Sequence, residues 1–155
     1  MQVSVWSNMQ GQAATSATTA ALASALAQKT ALKVLVAHNH IERSALEGYL
    51  FRQPAEVEKT IQNLSNQGLD ALIRLYKNGR LKPDMVADYT NSLLKNHRLD
   101  ILSGTAKKEK TTASDLDVII NIINCAKEFY DLAVIDTHSG LNENNSLRIL
   151  ESSDI

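Results

Sequence analysis

The apolar and polar positions of this chain fall into short unbroken apolar runs separated by longer stripes of helical period. Four runs, Val3–Trp6, Lys33–Ala37, Leu99–Ser103 and Leu132–Asp136, are largely apolar without alternation. Strands covered by helices on both faces need this pattern. Between them, Thr18–Gln28 is rich in Ala and Leu, the strongest helix formers. Ala55–Gln67 sets Val57, Ile61 and Leu64 on one side and runs into Gly68, a residue suited to ending a helix. Leu69–Lys77 continues with Leu72, Ile73 and Tyr76, and Pro83-Asp84 opens a stripe to Asn96 through Val86, Tyr89, Leu93 and Leu94. Ser114 reads as the N-cap of a long helix carrying Leu116, Ile119, Ile120, Ile123 and Phe129. A last helix is expected through Leu147, Ile149 and Leu150.

Strands alternating with helices predict an α/β fold: a doubly wound, mostly parallel sheet with helices on both faces. Its ligand would sit at the carboxyl ends of the strands. The chain reads as one domain, residues 1–155, with an extra helical segment between residues 41 and 98 in place of a simple crossover. The final Ser152-Ser153-Asp154-Ile155 reads as the approach to a further strand, so the domain is expected to be truncated at its C-terminal end.

Length and charge add bounds. At 155 residues the chain is long enough for a real core. A formal net charge of -1 gives no reason to expect specific nucleic-acid binding. One cysteine, Cys125, excludes an internal disulfide and suits a reducing compartment. No basic region followed by an apolar one opens the chain, and no run approaches the roughly 20 apolar residues that span a bilayer. The expected location is the cytoplasm.

The chemistry concentrates in Val3 to Ala27, VSVWSNMQGQAATSATTAALASALA. An apolar run breaks into a small-residue loop that opens an alanine-rich helix, which places free backbone N–H groups where the helix dipole favours an anion. The plain structural account is a strand-to-helix turn, as any α/β domain has. A second feature, Tyr130-Asp131-Leu132-Ala133-Val134-Ile135-Asp136-Thr137, ends an apolar strand on a carboxylate. In plain structural terms that carboxylate caps the following loop. A third, Val34-Leu35-Val36-Ala37-His38-Asn39-His40, ends a strand on two histidines. The Lys107, Lys108 and Lys110 run reads as a solvated loop, and His97 as a surface residue.

Together these residues resemble the deviant-Walker P-loop ATPases of the MinD/ParA family, closest to its divergent CpaE/TadZ-like members encoded with tight-adherence pilus or secretion systems. The family loop runs K-G-G-x-G-K-T-T. The resemblance implies nucleotide binding by Gly11, Gln12, Ala13, Ala14, Thr15, Ser16 and Ala17, with magnesium held by Ser16 and Asp136. Gln10 stands at the signature lysine and Thr15 at the phosphate lysine. In a register shifted by one, Thr15 becomes the metal ligand and Ala14 the lysine substitute. Either way both lysines are missing, and with them the point charges that a triphosphate needs. Where the family has acidic switch residues stand His38 and His40, and His138 follows Asp136 where a proline is usual. The resemblance therefore implies a degenerate member, with ATP and Mg²⁺ as ligands and weak or no hydrolysis. Such a member would act as a localisation or assembly adaptor for a pilus or secretion apparatus. It would be a homodimer working through protein partners, with only indirect membrane contact. Its alternatives are an active partitioning switch and a nucleotide-free interaction module.

Overall fold

The computed structural model describes residues 1–9, 14–39, 45–51, 67–105, 113–140 and 144–155. Strand β1 (Gln2–Val5) leads to helix α1 (Thr15–Lys29), then β2 (Val34–His38) and a short α2 (Leu46–Leu50). Helices α3 (Gly68–Lys77) and α4 (Pro83–Asp88) precede β3 (Asn91–Leu94), a 3₁₀ turn over Lys95–His97, and β4 (Leu99–Ile101). Helix α5 (Ala113–Ala126), β5 (Leu132–Asp136) and α6 (Asn144–Glu151) complete the order. The sheet runs β1-β5-β2-β4-β3. All pairs are parallel except β3 against β4. This is the mostly parallel, doubly wound α/β fold expected, with helices on both faces.

Alternate residues of the inner strands feed two cores. Val34, Val36, Leu132 and Val134 pack with Leu99, Ile101 and the Ala20, Ala23 and Ala27 stripe of α1. Alanines there let the helix lie close on the sheet. Leu35, Ala37, Ala133 and Ile135 face the other way, onto Leu72, Val86, Ile122, Ile123 and Ile149 of α3 to α6. This parity carries to the strand ends and decides which functional side chains meet.

Several expectations change. The helix expected from Pro83 to Asn96 stops at Asp88, where Thr90 Oγ1 donates to the Ala87 carbonyl at 2.9 Å. The stripe is really two patterns: Val86 and Tyr89 pack in the core of Leu35 and Ile135, whereas Leu93 and Leu94 pack in that of Val34 and Leu132. Strand β3 thus lies inside the segment between residues 41 and 98 that was read as helical. Helix α5 begins at Ala113, so Ser114 lies in its first turn and is not the N-cap. That helix ends before Phe129, which stacks edge-on against Tyr130.

The helix expected over residues 55–67 falls outside the described residues, except for Gln67, which is extended. Gly68 has the left-handed φ of +70° but opens α3, and a Cβ there would come 2.9 Å from the Ser103 carbonyl oxygen. Lys107, Lys108 and Lys110 are likewise undescribed. At the last residues, Ser4 N–H donates to Ile155 O at 2.9 Å and Asp154 N–H to Gln2 O at 3.0 Å, laying this segment along the outer edge of β1. No helix among the described residues is long and apolar enough to cross a membrane.

Candidate functional site

The carboxyl ends of β1, β5 and β2 lie side by side, because Val5 pairs with Asp136 and Asp136 with His38. Helix α1 starts above them. Its N-cap, Ala14, adopts φ 49° and ψ 37°, a left-handed conformation that suits glycine. Ala14 thus holds a left-handed backbone without being glycine, at a cost of about 1–2 kcal/mol. No side chain among the described residues caps this end. The first intrahelical bond runs from Thr18 N–H to Ala14 O at 2.9 Å, so the N–H groups of Thr15, Ser16 and Ala17 precede the helical ladder.

One contact joins the two ends of the candidate site. Ser16 Oγ donates to Asp136 Oδ2 at 2.6 Å across 120 residues of sequence. Asp136 is fully buried. Of the two registers that the loop allows, this places Ser16, and not Thr15, against the acidic strand end. A hydroxyl beside a carboxylate is a hard-oxygen pair that fits magnesium, with the carboxylate orienting the ion's water shell. Thr15 offers its carbonyl to Thr19 Oγ1 at 2.9 Å and brings no charge to the loop. Gln10, Gly11, Gln12 and Ala13 lie outside the described residues, as does His40.

His38 continues the Val34–Val36 row and faces the α1 side. Its Nε2 pairs with Glu47 Oε1 of α2 at 3.0 Å. Gly104 is pressed against the ring: a Cβ there would meet His38 Cε1 at 2.4 Å. Burial alone would raise the Glu47 pKa. The His38 hydrogen bond and charge, with the backbone N–H groups of Glu47 and Gly104, outweigh it and hold this carboxyl below its ordinary value. The strand end that lacks an acid in sequence therefore has a carboxylate brought to it by α2. Nothing in the sequence marks Glu47, nine positions on in an ordinary helical stretch.

His138 is held through its backbone. Its N–H donates to Asn39 Oδ1 and its carbonyl accepts from Ser146 Oγ, both at 2.6 Å. His97 is only partly exposed, and its Nδ1 lies 2.6 Å from Oδ2 of Asp100, the middle residue of β4, away from this site.

No protein-family profile matches the sequence, and no curated protein matches it. Solved structures do. A ParA family ATPase from Chlorobium tepidum superposes with a TM-score of 0.70 at 17% identity, over 99% of this chain and 57% of that one. The fold is that of the ParA and MinD ATPases. A plasmid partition protein from Borrelia burgdorferi follows at 0.67 and 16% identity, over 99% of this chain and 62% of that one. The septum site-determining protein MinD of Pyrococcus horikoshii, complexed with Mg-ADP, gives 0.62 and 19%, over 99% and 56%. The chain spans little more than half the length of these neighbours.

Proposed function

We propose that this chain is a degenerate ParA/MinD-type nucleotide-fold protein of the CpaE/TadZ kind. In this reading it binds magnesium nucleotide weakly, hydrolyses it poorly or not at all, and works as a localisation or assembly adaptor for a pilus or secretion apparatus. The observation that carries the nucleotide part is the 2.6 Å Ser16–Asp136 contact at the start of α1. It brings together two oxygens of the kind that a magnesium nucleotide needs, beside the start of α1, where Ala14 is left-handed. Ser16 and Asp136 would hold the ion, which when bound would neutralise phosphate charge. The backbone N–H groups of Thr15, Ser16 and Ala17 would receive phosphate oxygens. Thr15 in the lysine position weakens that grip. Homodimerisation and contact with protein partners of the apparatus belong to the same proposal, with any membrane contact indirect.

Thermal unfolding in a Mg²⁺–ATP titration tests this, because a ligand selective for the folded state must raise the midpoint. A rise only at millimolar ATP, strengthened about tenfold or more in Thr15→Lys, is the expected result. No rise in a well-folded sample removes the nucleotide reading. The neighbours named as partition and septum-site proteins favour a second reading, an active positioning switch. Steady ATP turnover by the purified chain would replace the adaptor with that switch.

A further inference from the structure

One row of side chains on the sheet face away from Ser16 and Asp136 has no part in the nucleotide reading. Asn39 and Thr137 each come one residue after the His38–Asp136 pair, and Trp6 one residue after Val5. By parity Asn39 continues the row of Leu35 and Ala37, and Thr137 that of Ala133 and Ile135, both packed against α3 to α6. Trp6 continues Gln2 and Ser4, whose side chains bond Ser153 on that side. Three adjacent strands thus end in three polar side chains in one line. Trp6 Nε1, Asn39 Nδ2 and Thr137 Oγ1 are all buried, and none has a hydrogen-bond partner among the described residues. Leaving such groups unpaired costs about 1–3 kcal/mol each, and three in one row is a cost that a fold does not accumulate by chance.

Their chemistry selects the ligand. The indole N–H only donates. The Asn39 amide oxygen already accepts from His138 N–H, so its free capacity is donation. The Thr137 hydroxyl between them completes a set of three donors. We infer that Trp6, Asn39 and Thr137 form a binding site for an oxyanion, phosphate or carboxylate, on the sheet face opposite the proposed nucleotide contact.

Trp6 is the only tryptophan of the chain and reports on its own site. Its emission is followed while inorganic phosphate or, in a separate arm, acetate is added at constant ionic strength, with chloride as the control. A saturable change with at least one oxyanion and none with chloride is expected, and the arm that saturates first identifies the preferred group. Thr137→Val and Asn39→Leu each raise the half-saturation concentration about tenfold, and Thr137→Ser keeps the wild-type value. No saturable response, or one unchanged in both Thr137→Val and Asn39→Leu, overturns the site. Without added oxyanion, Thr137→Val should unfold at or above the wild-type midpoint, since it deletes an unsatisfied hydroxyl. A lower midpoint would reveal an internal partner and overturn it as well. No nucleotide enters these titrations, so the outcome does not depend on the Ser16–Asp136 reading.

Discussion

Two carboxylates in this sheet, Asp100 and Asp136, are both fully buried, yet they do different work. Asp100 is the middle residue of β4. Its Oδ2 accepts from Tyr130 Oη at 2.6 Å, with His97 Nδ1 at 2.6 Å and Thr90 Oγ1 at 3.3 Å beside it. Burial, and then the bond to Asp100, push the Tyr130 phenol well above its ordinary pKa, which keeps it a donor. Lys33 lies over the Phe129 ring that borders this cluster. The group ties β4, the 3₁₀ turn, α4 and the approach to β5 into one knot. Asp136 sits at the carboxyl end of its strand and meets a hydroxyl from the mouth of α1. Burial is therefore a poor guide to function. The end of the parallel sheet on which a buried acid lies is a better one, because helix N-termini and loops converge only at the carboxyl end.

The largest expected effect tests the structural half of that contrast. Asp100→Ala leaves the Tyr130 hydroxyl and the His97 ring without their shared acceptor. It should cost about 3–5 kcal/mol in urea unfolding, and a magnesium–ATP shift should survive in whatever remains folded. Asp136→Ala should do the reverse. Its expected loss is the metal-dependent part of the shift, about 2.7 kcal/mol at a hundredfold excess of ligand over Kd, with a smaller change in ligand-free stability. If the two variants exchange these phenotypes, the contrast fails.

Gly104→Ala probes how tightly the carboxyl end is packed. Its Cβ would fall 2.4 Å from the His38 ring, so a loss of about 1–3 kcal/mol is expected in thermal or urea unfolding. A neutral outcome would mean that the ring moves freely and that the Glu47 contact is loose.

A smaller effect should appear with pH. Glu47 has its folded pKa depressed, so its contribution is present above the unfolded carboxyl pKa and is lost as pH falls through the folded one. Wild type should therefore lose more stability than Glu47→Gln on acidification below about pH 4.3. Parallel pH curves for the two proteins would remove the ion pair from the account. Smallest of all, Ala14→Gly should relieve the left-handed backbone strain and change stability by no more than about 1 kcal/mol, upward. A clear destabilisation would show that the loop bends differently.

What the sequence reveals follows from how local each signal is. The four parallel strands are legible because a strand buried on both faces must be apolar throughout, and Leu132–Asp136 has the same limits in both readings. Strand β3 is not, because Leu93 and Leu94 fall at helical spacing from Val86 and Tyr89 and only the cores they join tell them apart. At the site, Ser16 and Asp136 each stand at the edge of a recognisable local pattern. Which loop hydroxyl faces the acid is decided by the angle at which α1 lands on the sheet, and no spacing states it. Glu47 and Asn39 carry no local mark at all: one reaches the Ser16–Asp136 side through α2, the other is turned to the opposite face by the parity of β2.

The placement of β1 has a consequence for the order of events in making this protein. Gln2 pairs with Ala133 on one side and, through its backbone and side chain, with Asp154, Ile149 and Ser153 on the other. Among the described residues, the strand partners of β1 lie about 130 residues or more further along the chain. Its Val3 and Val5 must wait, exposed, while the sheet assembles around β2 and β4. Closure of β1 is then a late step, slow for its sequence separation. Helix α1 follows this strand, so the contact between Ser16 and Asp136 depends on the same long-range pairing.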